Sequence, residues 1–296
     1  MSPISSTVPL TIEPGSGELG IKNKNRELRP NVIAQRLGEC LVTGTLRGVY
    51  YGTYNGSSAA LLLFHFIFHS PLSQKLWRYT DAKIKLTFSR QLKPHEVDVD
   101  DGKAPRIVSI FPYTVNGNVS EEHQRWAFEL SVPVGLSPAS PVAIKVDPKI
   151  TKESSFIVGH RMQIQGFLYS SNRTLDLSNV AMWEMSENDI QEAGIPHDFR
   201  CGLVVLHGGM DFQANIQVTF SIPLGGGLRL TGWPWTKDDP LLFDRGTTLS
   251  NLDQNYLQQL ETMLRGKDLA ELTEEEIRQL APLSIEYQVR ANVEVL

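Results

Sequence analysis

Phe64-His65-Phe66-Ile67-Phe68-His69 places two imidazoles among three phenylalanines. Read as a strand, it puts His65, Ile67 and His69 on one face and the phenylalanines on the other. At about 3.3 Å per residue the two histidines stand roughly 13 Å apart. One zinc ion needs each ligand at about 2 Å, so this pair cannot share a metal. The expected arrangement is a core face of Phe and a wetter face of His. A pocket opening on the wetter face would make either histidine a proton-transfer group near neutral pH. The seven histidines form neither an HxxxH pair with its glutamate nor an HxH pair, and no metal site is assigned.

Other chemistry-bearing patterns stop short of a site. Asp98-Val99-Asp100-Asp101-Gly102 lacks the ligand spacing and the bidentate glutamate of a calcium loop and reads as an acidic turn. Gly225-Gly226-Gly227 follows a strand, but no Gly-Lys-Ser/Thr and no helix follow, so it reads as a hairpin bend. His207-Gly208-Gly209 resembles the oxyanion loop of esterases, yet no GxSxG nucleophile elbow exists to serve it. Cys40 and Cys201 lack the helix-start or glycine-rich setting that would activate a thiol, and read as buried structural residues. No dinucleotide, P-loop or EF-hand fingerprint is present, and no cofactor is implied.

Trp233-Pro234-Trp235-Thr236-Lys237-Asp238-Asp239-Pro240-Leu241-Leu242-Phe243-Asp244 is the most unusual stretch. Its rings either dock an extended arm onto the body of the protein or line a ligand site, because rigid aromatics give large contact area at low entropic cost. The candidate ligand-binding residues are therefore His65, His69, Trp183, Trp233 and Trp235.

The elements that must position these residues are mostly strands. Ala82, Ile84, Leu86 and Phe88 alternate with polar residues. So do Trp126, Phe128, Leu130 and Val132, then Met162, Ile164 and Leu168, and then Ala214, Ile216, Val218, Phe220 and Ile222. Each run has the period of a half-buried strand. Leu61–Phe68 and Leu203–Leu206 are more continuously apolar, which predicts central strands or strands covered on both faces. Turn signals such as Asn55-Gly56, Asn116-Gly117 and Gly208-Gly209 separate them. Many short strands without crossover helices predict an all-β fold, an antiparallel β-sandwich spanning 37–230. A short helix is expected over Ser186–Ala193.

Residues 1–36 are rich in Pro, Gly, Ser and charge and read as a flexible N-terminal arm. Residues 231–296 read as the extended aromatic arm, a helical hairpin and a closing strand packed on the sandwich. Ser250 is expected to cap a helix running to about Leu264 and ended by Gly266. Thr273 with Glu276 forms a capping box for a second helix stopped by Pro282. Ile285, Tyr287, Val289, Ala291, Val293 and Val295 then alternate with polar residues, so the final strand is expected to rejoin the sheet.

Bulk properties narrow the function classes. A formal net charge of −5 and the lack of a basic stripe exclude an ordinary nucleic-acid binder. The longest apolar run, Ala59–Phe68, is half the length of a membrane-spanning helix. The N-terminal residues carry no basic and apolar leader pattern, so a cytoplasmic protein is expected.

Trp183-Glu184-Met185-Ser186-Glu187-Asn188 followed by Gly194-Ile195-Pro196 and Cys201–Leu206, Leu62–Phe68 leading to Asp81–Phe88, and Asp238–Asp244 together resemble an uncharacterised β-rich family of filamentous-fungal proteins. The resemblance covers roughly residues 40–245. It implies a fungal, non-secreted protein and transfers no site residue.

Two functions fit these readings. One is a sandwich holding an apolar small molecule, as a carrier or as a cofactor-independent cyclase or isomerase of fungal secondary metabolism. Such chemistry works by shape and a few polar groups and leaves no motif. The alternative is a non-catalytic protein–protein interaction module that pairs strands at an exposed edge.

Overall fold

Asn55 and Gly56 take φ values of 49° and 76°, which suits a two-residue hairpin turn. The chain therefore runs from Cys40–Tyr54 (β2) straight back into Ser57–His69 (β3), with Tyr54 opposite Ser57. Asn31–Leu37 (β1) pairs with the far edge of β2, Asp198–Leu206 (β11) lies beside β3, and Arg106–Phe111 (β5) closes the other edge. All these pairings are antiparallel. The computed structural model describes residues 21–23, 28–71, 77–91, 104–117, 120–129, 151–171, 178–188, 190, 192–225, 228–232, 238–244 and 249–282.

A second antiparallel sheet takes the order β13-β12-β4-β10-β9-β6. Its strands are Asp81–Arg90 (β4), Thr114–Asn116 (β6), Gln163–Tyr169 (β9), Val180–Ser186 (β10), Phe212–Gly225 (β12) and Leu228–Gly232 (β13). Leu241–Phe243 (β14) pairs with the start of β12. Ser120–Glu129 (β7) and Thr151–His160 (β8) form a separate two-stranded ribbon.

The two larger sheets pack face to face, so the sandwich expected from the strand periods is present. Ala82, Ile84, Leu86 and Phe88 of β4 and Ala214, Val218, Phe220 and Ile222 of β12 are buried, as their alternation predicts. Opposite them lie Leu62, Phe64, Phe66 and Phe68 of β3. Aromatic rings tie the layers together. Tyr79 meets Phe68 at 5.3 Å and Phe220 at 5.2 Å, and Trp183 meets Phe199 edge-on at 6.2 Å. These separations suit edge-to-face packing.

β3 explains its own continuous apolarity. Ala59, Leu61 and Leu63 face away from the sandwich core and are buried under the C-terminal helices, while Ala60, Leu62 and Phe64 face into it. Beyond Leu63 the helices no longer cover the sheet, and the strand reverts to alternation at His65.

The helical cap is built from Gln254–Leu264 (α1), a short 3₁₀ turn at Leu269–Glu271, and Glu274–Leu280 (α2). Leu260 and Leu264 bury one stripe of α1 against β2 and β3. Gly48 makes that approach possible: a Cβ there would stand 2.8 Å from Leu260 Cδ1 and 3.0 Å from Tyr256 Cε1. Tyr50 Oη donates at 3.0 Å to the Leu264 carbonyl, which also accepts from the Lys267 amide, so the helix end is tied to β2. The Thr273–Glu276 capping box is present on α2.

Several expectations need correction. Order begins before Leu37, because Asn31–Leu37 is already a strand. Its period is obscured by Gln35, a polar residue at an inward position only 8% exposed. α1 starts at Gln254 rather than near Ser250, because Asp253 accepts from the Asn255 and Tyr256 amides and so is the cap. No helix forms over the described part of Ser186–Ala193. There the Asn188 carboxamide accepts from the Ile190 amide, and Glu192 and Gly194 take φ values of 48° and 81°. Glu187 instead clamps this loop, accepting from Arg78 Nε at 2.8 Å and from the Gly194 amide at 3.0 Å. The helices pack on the sandwich as expected, over the outer face of the five-stranded sheet. The expected final strand over 285–295 lies outside the described residues.

Candidate functional site

Among the described residues, a cleft of about 200 Å³ lies between the helical cap and the outer face of the five-stranded sheet. Its floor is Leu63 and His65 of β3, Arg200 of β11 and Arg47 of β2. Register explains the convergence. Arg200 lies directly opposite His65, and Thr45 flanks His65 on its other side. Between Leu46 and Gly48 the β2–β3 register slips, and the inserted residue is Arg47. A bulge of this kind re-aims a side chain relative to the regular pleat. The wall is Tyr256 of α1 and the end of α2, where Gln279, Leu280, Ala281 and Pro282 line the opening.

Tyr256 is fixed at both ends. Its hydroxyl donates to the Leu280 carbonyl at 2.5 Å, and the Arg47 guanidinium lies 5.6 Å from its ring centroid, within cation–π range. Burial raises the Tyr256 phenol above its usual value, against the pull of Arg47 and Arg200. The phenol is therefore a neutral donor at ordinary pH.

His65 sits at the junction of the cleft and a small charged cluster. Its Nε2 lies 3.0 Å from Asp198 Oδ1. Arg200 holds the same carboxylate through Nε and a terminal nitrogen, both at 3.3 Å. Burial is the largest influence on His65 and lowers its pKa. Asp198 opposes this, and Arg200 and Arg47 reinforce it. The imidazole is thus held neutral near pH 7 and can accept a proton.

Of the three expected ligand contacts among the described residues, His65, His69 and Trp183, only His65 lines the cleft. His69 shares its face of β3 but lies further along the strand, with Nε2 3.3 Å from Thr43 Oγ1 and its ring 5.4 Å from that of His197. Trp183 is not a pocket residue. It is fully buried between the sheets, and its indole N–H donates to the Pro112 carbonyl at 2.9 Å. Gly166 opposite it leaves the room, since a Cβ there would meet the Pro112 oxygen at 2.7 Å. Trp233 and Trp235 lie outside the described residues. The end of their segment is docked: Phe243 stacks on Phe212 at 4.8 Å, and Asp238 and Asp239 accept from the Ile21 and Asn23 amides.

Arg47, Asp198, Arg200 and Tyr256 were not legible as site residues. Asp198 and Arg200 bracket an inward residue at the start of an apolar strand, and that alternation was the available signal. Cys40 and Cys201 are both buried free thiols, and burial raises both pKa values, which makes them poor nucleophiles. Among the described residues no group of three or more His, Cys, Asp or Glu could hold a metal, and no helix is long and apolar enough to cross a membrane.

No family model and no curated protein matches the chain. Similar solved structures include a pore forming protein, at 8% identity and TM-score 0.28, over 69% of this chain and 85% of that one. Another is the Clostridium perfringens NetB toxin in the membrane inserted form, at 9% identity and TM-score 0.27, over 71% and 91%. A third is Clostridium perfringens delta-toxin, at 11% identity and TM-score 0.23, over 72% and 94%. Superpositions at TM-scores this low carry no argument about what this chain does.

Proposed function

We propose that this protein binds a small molecule in the cleft between the five-stranded sheet and the helical cap. The carrying observation is the convergence of His65, Arg47, Arg200 and Tyr256 on one concave volume with apolar walls from Leu63, Leu280, Ala281 and Pro282. Concave sites with a few placed polar groups on an apolar lining are the usual form of small-molecule sites. The reading differs from the expected one in place, because Trp183 and the phenylalanines fill the space between the sheets. A cofactor-independent isomerase or cyclase step in this cleft would fall to His65, with its neutral imidazole as the proton acceptor.

Native mass spectrometry of the purified full chain tests the reading. The expected result is a small-molecule adduct that disappears under denaturing conditions and in Ala281→Trp, where the added ring fills the opening. A clean apo mass in the parent overturns it. A bound protein in place of a small molecule would instead favour an interaction module.

A further inference from the structure

We infer that the ligand of this cleft is a small amphipathic anion, a carboxylate or phosphate carried on an apolar body about one ring in size. The inference rests on the small-molecule reading and adds the ligand's charge. Among the described residues, every charged or titratable side chain lining the cleft is cationic or a neutral donor or acceptor: Arg47, Arg200, His65 and Tyr256. Among the described residues no aspartate or glutamate lines it.

Both arginines line the one cleft beside His65 and Tyr256, and the Arg47 guanidinium lies 5.6 Å from the Tyr256 ring centroid. Neither is used up by its acidic neighbour. Arg200 reaches Asp198 through contacts of 3.3 Å, and Arg47 stands 3.8 Å from Asp253. A guanidinium carries five N–H donors in a planar fork, so both retain donors matched to a carboxylate or phosphate. Among the described residues the far wall offers Leu280, Ala281, Pro282 and the Gln279 amide, which suits an uncharged body. The volume is about 200 Å³, on the order of the 150 Å³ that holds one benzene ring. A cation would meet two guanidiniums with no lining carboxylate to offset them.

Titration of the full chain with four probes of one shape separates the possibilities: benzoate, phenylphosphate, benzyl alcohol and benzylamine. The expected result is that at least one anion binds about tenfold or more tightly than benzyl alcohol, the size of effect expected for a charge-assisted hydrogen bond. The preferred anion then separates carboxylate from phosphate. Arg47→Gln and Arg200→Gln should each remove most of that preference, read as the ratio of anion to benzyl alcohol affinity within the same variant. Arg47 is half-exposed, so its variant remains informative should Arg200→Gln unfold. Equal binding of benzyl alcohol and both anions overturns the anion inference and leaves the small-molecule reading standing, as does a preference for benzylamine. Absence of binding by all four probes overturns both.

Discussion

His65 and His197 are both lowered from the ordinary histidine value of 6.5, in each case chiefly by burial. For His197 the neighbouring His69 adds to the effect and Asp198 opposes it. The sign follows directly. Above 6.5 both groups are neutral in folded and unfolded chains and contribute nothing. Below it the unfolded chain takes up protons more readily, so stability falls until pH passes the lowered folded values. Thermal unfolding midpoints should hold steady above about pH 7 and decline through the window below 6.5. In His65→Gln that decline should be shallower, and a slope identical to the parent's would show that His65 is not the group involved. Trp183→Ala should cost about 3–5 kcal/mol in denaturant unfolding, from the lost ring volume and the orphaned Pro112 carbonyl. A loss under about 1 kcal/mol would contradict full burial.

At the scale of elements, one carboxylate ties the cap to the β2–β3 turn. Asp268 accepts from Thr53 Oγ1 and the Asn55, Gly56 and Ala270 amides, so it ties the β2–β3 turn to the 3₁₀ turn before α2. These donors hold its pKa below the ordinary aspartate value. Asp268→Ala should speed hydrogen exchange at Asn55 and Gly56 and loosen the cap, while β4 and β12 amides stay protected. Unchanged exchange at the turn would remove this role. Gly48→Val should force α1 away from β2, because the new side chain would overlap Leu260 and Tyr256. Its expected signature is a lowered unfolding midpoint together with loss of ligand binding in the cleft. Retention of both would mean that the cap adjusts without cost.

For the whole molecule, the cap completes a three-layer arrangement on β3. Truncation after about residue 245 removes the cover from Ala59, Leu61, Leu63 and Val204, and exposed apolar area of this kind costs roughly 25 cal/mol per Å². The shortened chain should unfold at lower temperature and self-associate, checked by calorimetry and light scattering; unchanged behaviour would mean that the cap contributes no stability. Strong acid should weaken the complete chain through a second, separate window. Glu276, pulled down to about 2 by Lys267 and the Thr273 cap, joins Asp239 and Asp268 as carboxylates with lowered values. Their contribution is present above the ordinary carboxylate values and is lost as pH falls through the lowered ones.

What the sequence determined by itself is the part governed by local period and turn chemistry. Alternation at β4 and β12 marked the buried faces, Asn55-Gly56 marked a turn, Thr273 and Glu276 marked a helix start, and the unbroken run in β3 marked a strand lying centrally or covered on both faces. These signals are legible because a pleat or a helical turn repeats within a few residues. Only the tertiary structure decided the site. Arg47, His65, Arg200 and Tyr256 come from four elements, and cross-strand register, one bulge and the docking of α1 on Gly48 bring them together. Trp183 shows the converse: its residue type suggested a ligand contact, and the packing of two sheets made it core.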